Sequence, residues 1–412
     1  MQRLYHPSND IFGEVNDYLN GLEVVVAVTG SVAIYKSVDL VRWFLRRSAR
    51  VNVVMSKDAA NLVSPTLFEW ASGGEVYTEF GGEVGHITLA RRASAVVVAP
   101  ATLTTISKIA RGILDTPVAL IAVSALGYRK PVIVAPAMHR NLYDTSQYAE
   151  AVNSLERQGV KVVEPYVKGS VARFPSVHTI GRVAAALARR GSEDLKGVKV
   201  LVTAGATREW IDKVRFISNP SSGAMGVEVA LEMWARGANV DLVAGGVSVE
   251  LPHMVRIYKV DSTEEMAQTV ASLTGRKRYD VIVGAGAPVD FKPSERFKGK
   301  IKSGVKISLE LEPTPKVLAS IKQRPRVLVA FAAEHVDSVD ELAEPALDKM
   351  GKYKADMVVA NIVGVPGVGF SSPKLRVLAL GSQGRILFKG DIHKEMVAAL
   401  IADEVSKLLK GT

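Results

Sequence analysis

The sequence of 412 residues lacks cysteine entirely. This absence excludes disulfide bridges, thiolate zinc sites, iron–sulfur clusters and cysteine nucleophiles together, because each of them needs a thiol. Aromatic residues make up only 6% of the chain, and no run of five or more basic residues occurs. Binding to nucleic acid therefore has only net charge in its favour, and we predict no nucleic-acid partner.

Long apolar runs are missing as well. The longest, such as residues 95–101 and 118–123, are far shorter than the roughly 20 residues that span a bilayer. The first residues mix His, Asp, Glu and Asn, which is not the pattern of a secretory signal peptide. We therefore predict a cytoplasmic protein without a membrane partner.

The composition is otherwise that of a globular protein, with 48% hydrophobic and 23% charged residues. At roughly 150 residues per domain, the chain is long enough for two or three domains. Lys and Arg number 52 against 42 Asp and Glu, which gives a net charge of +10. Such a surface attracts anions, and phosphorylated small molecules fit this charge as well as nucleic acid or a membrane surface does.

Two stretches of the chain begin almost alike. Residues 23–31 read EVVVAVTGS and residues 197–206 read GVKVLVTAGA. Each is an apolar, β-branched run that ends in Thr and Gly before a helical pattern, as in a parallel sheet that is covered on both faces. We interpret them as the first strands of two domains, residues 1–191 and 192–412.

Apolar runs and helical patterns alternate in both halves, which predicts an α/β fold of two Rossmann-like, doubly wound domains. In the first half, the expected strands are residues 51–55, 95–99, 118–123, 132–135 and 160–163, with helices over 38–47, 104–111, 142–157 and 179–190. In the second half, the expected strands are 198–203, 240–244, 281–283, 327–331 and 357–361, with helices over 226–236, 263–273, 339–349 and 393–409. A late antiparallel hairpin is expected at residues 375–380 and 385–388.

Small and polar residues follow three of the expected strands in the first half, at residues 29–31, 100–105 and 136–141. Ligands of an open parallel sheet bind at the carboxyl ends of its strands. The helix start at residues 29–31 can hold a phosphate, although a simple strand-to-helix turn explains it equally well. Neither a Walker A lysine nor a G-x-G-x-x-G pattern accompanies this turn, so a mononucleotide fits better than a dinucleotide.

Four motifs of the first half resemble the flavin-containing cysteine decarboxylases. They are VTGSVAIYK at residues 28–36, GHITLA at 85–90, APATLTTISKIARGILD at 99–115 and PAMHRNLYD at 136–144. The resemblance implies a flavodoxin-like decarboxylase domain with FMN, and His86 as its base, although a lone His at a helix start is by itself more often structural. It implies FMN contacts from Gly30, Ser31, Ser56, Pro100, Ala101 and Thr102, and substrate contacts from Met138 and His139.

A long motif of the second half, TAGATREWIDKVRFISNPSSGAMG at residues 203–226, resembles phosphopantothenate–cysteine ligase. Shorter matches are GAGAPVDF at 284–291, FKGKIKS at 297–303, FAAE at 331–334 and VVAN at 358–361. Together, the two halves are similar to the bifunctional coenzyme A biosynthesis family. The resemblance implies that CTP, with Mg²⁺, activates the phosphopantothenate carboxylate as an acyl-nucleotidyl intermediate, which the amine of cysteine then attacks.

The same resemblance assigns residues of the second half. Asn219 is implied to contact the acyl intermediate, and Lys300 to close over the triphosphate, although a solvated loop explains the basic segment around Lys300 equally well. Further substrate contacts are implied for Arg215, Ser221, Ser222, Gly223 and Gly226, and nucleotide contacts for Ala285, Asp290, Lys300, Pro315, Phe331 and Lys349. No metal ligands are assigned.

Some positions depart from the family pattern. His139 stands where the family has Asn, and residues 168–174 lack the flap cysteine that donates a proton in bacterial members. His139, as an imidazolium, is the candidate for this donor. In the ligase half, Tyr353 replaces a usual Lys and Thr314 precedes Pro315 where Asn is typical, which leaves the choice between CTP and ATP open.

Two other functions stay open from the sequence. In the first, the N-terminal half is a non-catalytic FMN-binding module with a regulatory or assembly role, and only the ligase is active; the missing flap cysteine favours this alternative. The second, a nicotinamide-dependent dehydrogenase, is weaker because no Tyr-x-x-x-Lys pair occurs in the chain. The resemblance also implies a homo-oligomer, a dodecamer built from decarboxylase trimers and ligase dimers.

Overall fold

The computed structural model describes residues 5–82, 84–304, 306–365, 367–370 and 372–411. Its contacts divide the chain into two compact units, the first ending at Asp194 and the second beginning at Leu195. The boundary expected from the sequence, after residue 191, lies in the turn-rich segment just before Leu195. Within the described ranges, no helix is long and apolar enough to cross a membrane.

The first unit alternates strands and helices. Its strands are β1 (Glu23–Val28), β2 (Arg50–Met55), β3 (Val76–Tyr77), β4 (Ala95–Ala101), β5 (Val132–Pro136), β6 (Met138–His139), β7 (Lys161–Val162), β8 (Tyr166–Lys168) and β9 (Val171–Arg173). Its helices are α1 (Ser8–Ile11), α2 (Tyr35–Leu45), α3 (Lys57–Leu62), α4 (Pro65–Ser72), α5 (Gly85–Arg92), α6 (Leu103–Arg111), α7 (Pro117–Gly127), α8 (Arg140–Tyr143), α9 (Ser146–Arg157) and α10 (Val177–Arg190). The main sheet is parallel, with the order β3-β2-β1-β4-β5-β7, and a small antiparallel sheet has the order β6-β9-β8.

Helices cover both faces of the parallel sheet. Every residue of β1 and β4 is buried, which explains why these strands are continuously apolar and do not alternate. Val25 and Ala27 of β1 belong to the core formed with α5, α6, α7 and α9, and their neighbours along the strand point to the opposite face. On other parts of the unit, α2 packs against α10 and α4. The doubly wound α/β fold expected from the sequence is confirmed.

The strand expected at residues 118–123 is wrong, because these residues lie inside α7. The Thr116 side chain caps this helix and Pro117 occupies its first turn. The buried residues Val118, Ile121, Ala122 and Ala125 follow helical spacing. A short apolar run of this kind fits a buried strand and a buried helix equally, so periodicity alone did not separate them. The helix expected over 142–157 is also divided, into α8 and α9, because Thr145 caps α9.

The second unit is built around a longer sheet. Its strands are β10 (Lys199–Ala204), β11 (Arg208–Trp210), β12 (Phe216–Ser218), β13 (Asn239–Ala244), β14 (Arg256–Lys259), β15 (Val281–Gly284), β16 (Phe291–Pro293), β17 (Leu311–Pro313), β18 (Val327–Glu334), β19 (Met357–Ile362), β20 (Lys374–Gly381) and β21 (Ile386–His393). Its helices are α11 (Ala224–Ala235), α12 (Thr263–Arg276), α13 (Ala343–Tyr353) and α14 (Lys394–Lys410). The sheet order is β14-β13-β10-β15-β18-β19-β20-β21. The pairs β19–β20 and β20–β21 are antiparallel, which confirms the late hairpin.

Successive residues of β10 face two different cores. Val200 and Val202 pack with residues of α11 and α14, whereas Leu201 packs with residues of α12 and α13. Gly226 lets α11 approach β10 closely, because a Cβ at this position would lie 2.6 Å from the Cβ of Ala204. The start of α11 is therefore held directly at the carboxyl end of β10.

Candidate functional site

Hydrogen bonds join the loops that follow β1, β4 and β5 at one edge of the first sheet. The Thr29 hydroxyl donates to the Pro100 carbonyl oxygen at 2.7 Å and accepts from the Thr102 N–H at 3.2 Å. The Ala137 N–H donates to the Ala101 carbonyl oxygen at 3.0 Å. The polar residues that follow these strands in the sequence therefore form one continuous surface.

Three hydroxyls at this edge cap helices. Ser56 Oγ accepts a backbone N–H at 3.2 Å at the start of α3, and Thr102 Oγ1 accepts one at 3.4 Å at the start of α6. Ser31 Oγ accepts one at 3.3 Å in the short 3-10 helix that leads into α2. The first N–H groups of a helix lack partners within the helix, so these starts suit an anion.

Gly30 lies where the loop after β1 meets the start of α3. A Cβ at Gly30 would lie 2.5 Å from the Cβ of Asp58, which is closer than such atoms approach. Any larger residue would push the loop away from α3. Gly30 therefore keeps two helix starts close together, which is the close backbone approach that a bound phosphate needs.

His86 is the second residue of α5 and lies half-buried against Phe80, with 5.6 Å between the ring centroids. Phe80 in turn lies 5.6 Å from the ring of Tyr77. The Nδ1 atom of His86 is buried, and no hydrogen-bond partner for it occurs in the part of the chain that the structure describes. An unsatisfied buried polar atom costs about 1–3 kcal/mol. Nδ1 therefore marks a place where a bound molecule would supply the missing hydrogen bond.

His139 and Met138 form β6, which pairs with the β8–β9 hairpin. Met138 lies opposite Ala172, and His139 lies opposite Val171. The Nδ1 atom of His139 accepts the Asn141 N–H at 3.3 Å and so caps α8, while the side chain is exposed. Because Nδ1 is the acceptor in this bond, the proton of the neutral ring is on Nε2. The hairpin is the flap identified from the sequence, and the register places His139 beside it.

The second unit contains a cavity of about 820 Å³ at the carboxyl ends of β10, β15 and β18. Many of the residues expected from the sequence line it, namely Asn219, Ser221, Gly223, Ala285, Asp290, Pro315, Phe331 and Lys349. Arg215, Ser222, Gly226 and Lys300 are not among the described residues of its wall. Gly226 serves the packing of α11 on β10, and Ser222 Oγ accepts the Ala224 N–H at 3.4 Å just before α11 begins.

The side-chain amide of Asn219 has a defined orientation in the cavity wall. Its Nδ2 donates to the carbonyl oxygens of Ala287 at 3.2 Å and Pro288 at 3.1 Å. Both partners are acceptors, so the amide nitrogen must face them and Oδ1 must face away. Asn219 therefore offers the cavity a fixed hydrogen-bond acceptor.

The wall of the cavity combines acidic and basic side chains with the aromatic ring of Phe331. Burial lowers the pKa of Lys349, while Glu334 and Asp290 act in the opposite direction by favouring its charged form. Lys316 Nζ lies 2.6 Å from Asp290 Oδ1. Cations beside an aromatic ring and an acidic residue can hold the phosphates, the base and the ribose of a nucleotide. Lys316 and Lys352 also line the cavity and were not assigned from the sequence.

Arg215 and the segment that carries Lys300 meet at a separate cluster around Asp212. The buried Asp212 carboxylate accepts the Ile301 N–H at 3.1 Å and pairs with the Arg215 guanidinium at 2.8 Å. Burial acts to raise the pKa of Asp212, but hydrogen bonds from backbone N–H groups outweigh it and lower the pKa to about 2. Arg215 also donates to the Ile301 carbonyl oxygen at 3.2 Å. Asp212 therefore tethers the exposed segment that carries Lys300.

Lys394 is a cavity residue that the sequence analysis missed. It is 6% exposed, begins α14 and lines the same cavity. The sequence contained one indication of this role. A lysine in the first turn of a helix is disfavoured by the helix dipole, so its presence there indicates a compensating interaction. The residues that the structure describes contain no group of three or more His, Asp or Glu placed to hold a metal ion.

Two family models divide the chain as the structure does. A family described as Flavoprotein matches residues 13–189, and the DNA/pantothenate metabolism flavoprotein C-terminal domain matches residues 195–409. The fold and both sites thus define a two-domain protein of pantothenate metabolism with an N-terminal flavoprotein domain. The coenzyme A biosynthesis bifunctional protein CoaBC of Thermococcus kodakarensis is 38% identical, over 98% of this chain and 100% of that protein. The chain belongs to the family of coenzyme A biosynthesis bifunctional proteins.

Two further proteins are similar to this chain. The corresponding protein of Methanocaldococcus jannaschii is 29% identical over the full length of both chains, at 100% coverage of each. A crystal structure of the C-terminal domain of a CoaBC protein is 29% identical, with a TM-score of 0.44, and covers 54% of this chain and 100% of that one. The two family models and the Thermococcus relative confirm the family recognised from the motifs, and with it the class of a bifunctional enzyme of coenzyme A biosynthesis.

Proposed function

We propose that this chain makes phosphopantetheine from phosphopantothenate and cysteine in two steps. Residues 192–412 ligate cysteine to phosphopantothenate with CTP, and residues 1–191 decarboxylate phosphopantothenoylcysteine with FMN. The observation that carries the proposal is the cavity of about 820 Å³, which collects eight ligase residues assigned from separate motifs. Residues from five segments of sequence meet there around one anion-binding helix start.

In the ligase step, each group has a task that its geometry permits. The start of α11, at Ser221 and Gly223, binds phosphate oxygens, while Asp290, Phe331 and Lys349 hold the nucleoside part. Oδ1 of Asn219 accepts an N–H of the acyl substrate or of the incoming cysteine amine, because its own amide nitrogen is held by backbone carbonyls. Lys300 closes over the polyphosphate from its tether at Asp212.

The magnesium ion of the proposed reaction arrives with the nucleotide. The described residues hold no preformed group of acidic or histidine ligands. Mg²⁺ commonly binds through substrate phosphates, one or two carboxylates and water, so a preformed protein cage is not needed. No catalytic step of this chain's residues is assigned to the metal.

The first unit fits a flavin at the edge formed by the loops after β1, β4 and β5. The buried, unpartnered Nδ1 of His86 and the close approach at Gly30 are the observations that support this fit. Ser31, Ser56 and Thr102, with the neighbouring Pro100 and Ala101, would hold FMN, whose phosphate suits the helix starts. Bound there, FMN supplies the two-electron redox chemistry that decarboxylation of a cysteinyl substrate requires.

The residues of this chain then move protons and hold the substrate. His86 acts as the base toward the cysteinyl group. Met138 and His139, paired with the flap, contact the substrate, and Nε2–H of the His139 imidazolium is the proton donor in place of the missing flap cysteine.

One experiment tests both activities. Purified protein with FMN and Mg²⁺ is given phosphopantothenate, cysteine and either CTP or ATP, and the products are identified by mass spectrometry. A product that has gained cysteine and lost carbon dioxide is expected with CTP. A reaction that stops at phosphopantothenoylcysteine would support the second candidate, an active ligase beside a non-catalytic FMN-binding module, which the cysteine-free flap favours. No product with either nucleotide would contradict the proposal.

Assembly and location are further parts of the proposal. The family resemblance supports a homo-oligomer, a dodecamer, with small molecules as the partners. The sequence features support a cytoplasmic location and neither a nucleic-acid nor a membrane partner. Sedimentation of the purified protein with FMN measures the assembly. A monomer would contradict it.

A further inference from the structure

Lys394 is a buried cation of the ligase cavity to which the proposed function assigns no task. Only 6% of the residue is exposed, and it lies at the first position of α14. Burial lowers the pKa of Lys394 to about 8, while Glu228 acts to raise it. Both burial and the helix dipole disfavour a charged ammonium here. A lysine in such a place requires a compensating interaction.

The contacts of Lys394 compensate only in part. Among the residues that the structure describes, Nζ donates to the Phe370 carbonyl oxygen at 2.8 Å. An ammonium group has three N–H donors, and a single carbonyl uses one of them. Because Lys394 also lines the cavity, a ligand there can accept from the donors that remain.

The start of α11 lies beside this ammonium group. The carbonyl oxygen of Phe370 that accepts from Lys394 also accepts from Ser222 Oγ, at 3.3 Å. Ser222 Oγ also accepts the N–H of Ala224, the first residue of α11, and Gly223 and Ala224 line the cavity together with Lys394. A helix start and a buried cation thus reach the same space from two sides, and both attract a negative charge.

We propose that Lys394 binds a phosphoryl group of a substrate in this cavity, together with the start of α11. The inference rests on the proposed ligase function, which brings two phosphorylated compounds to the cavity. One source of the phosphoryl group is the polyphosphate of the nucleotide, and the other is the phosphate of phosphopantothenate. An anionic oxygen at this place satisfies the donors of the ammonium and offsets the cost of its burial.

The test compares Lys394→Met, which removes the charge and keeps most of the apolar stem, with Lys394→Arg, which restores the charge. Lys410→Met is the matched control, because Lys410 is an exposed lysine at the opposite end of the same helix. Full-length proteins are titrated separately with inorganic pyrophosphate and with phosphopantothenate by calorimetry. The KM values for CTP, phosphopantothenate and cysteine are measured in parallel, and thermal melts show that each variant folds.

We expect Lys394→Met to weaken one of the two phosphorylated ligands by roughly ten- to a hundredfold, the range for a lost charge-assisted hydrogen bond. The KM for cysteine stays unchanged, Lys394→Arg recovers part of the loss, and Lys410→Met behaves as the parent. A selective loss for pyrophosphate assigns Lys394 to the nucleotide, and a selective loss for phosphopantothenate assigns it to the acid substrate.

Unchanged affinity for both ligands in a folded Lys394→Met variant would overturn the inference, as would an equal rise of all three KM values. If Lys394→Met melts early, Lys394→Gln, which can still donate to a carbonyl oxygen, takes its place under the same criteria. A failure of the proposed function can be distinguished from a failure of this inference. In that case the unsubstituted protein forms no phosphopantothenoylcysteine, while the calorimetric comparison still decides the role of Lys394.

Discussion

The two candidate sites differ in the charge of the side chains that form them. The residues expected against FMN in the first unit carry no ionisable side chain; they are Gly30, Ser31, Ser56, Pro100, Ala101 and Thr102. The cavity of the second unit is lined by Asp290, Glu334 and Asp348 together with Lys316, Lys349, Lys352 and Lys394. Neutral hydroxyls and helix starts are enough for one phosphate of a cofactor that stays bound. A polyphosphate substrate carries more charge and needs cations that can release its product.

Among the substitutions considered, His86→Asn is expected to produce the largest difference between the activities of the two sites. Decarboxylation of supplied phosphopantothenoylcysteine should fall by about 10²- to 10⁴-fold, because a positioned base is lost. Ligation should not change, since the second unit has its own cores and its own cavity. Mass spectrometry measures both products, and the absorbance of the flavin shows that FMN is still bound. An equal loss of both activities would contradict the independence of the two sites.

The substitution Asn219→Asp is expected to have the opposite selectivity, with ligation impaired and decarboxylation unchanged. A carboxylate cannot donate to the carbonyl oxygens of Ala287 and Pro288, so the side chain must turn away and the acceptor at Oδ1 is misplaced. We expect ligation to fall by about a hundredfold, with decarboxylation unchanged. Asn239→Asp is the control, because Asn239 is exposed at the start of β13. The measurement is the rate of phosphopantothenoylcysteine formation. A normal rate in Asn219→Asp would contradict the orientation assigned to the Asn219 amide.

A smaller effect, roughly tenfold or more, is expected on phosphopantetheine formation from His139→Asn. Asn can still cap α8 through its side-chain oxygen but does not supply the ring proton. The register places residue 171 opposite residue 139, so adding Val171→Cys to His139→Asn should restore part of the product. Val171→Cys alone is the control. Full activity in His139→Asn would show that another group donates the proton.

The smallest effect is expected from Asp212→Asn, which loosens the tether of the Lys300 segment. The KM for CTP should rise a few-fold while decarboxylation stays the same. The lowered pKa of about 2, against an ordinary value of 3.8, means that Asp212 stabilises the fold above pH 3.8 and that this contribution disappears as the pH falls toward 2. The difference in urea midpoint between parent and variant should therefore close over that range. If the difference in urea midpoint did not depend on pH, the lowered pKa of Asp212 would be contradicted.

Local patterns predicted most of the fold because helices and buried strands have different periods. The exception, α7, shows the limit: its apolar run matches a buried strand, and only Thr116 and Pro117 mark it as a helix. The flap at residues 168–174 was expected from the family resemblance, but its strands β8 and β9 were not, because strands of three residues carry too little pattern to be recognised.

The motifs named many residues of the second cavity, yet they did not separate ligand contacts from packing. Gly226 belongs to the same motif as Ser221, but it serves the contact of α11 with β10. Lys394 lies far from these motifs along the chain and reaches the cavity only because α14 packs against α11.

By itself, the sequence determined two α/β units, the strand ends where ligands are expected, the absence of any thiol and an excess of positive charge. These properties depend on residue type and on short-range spacing, which the chain carries before it folds. Tertiary structure alone decided that His139 lies opposite Val171, that the amide of Asn219 points one oxygen into a cavity, and that Lys394 joins it. Those relations depend on which distant segments pack together, and packing follows from the shape and burial of the whole unit.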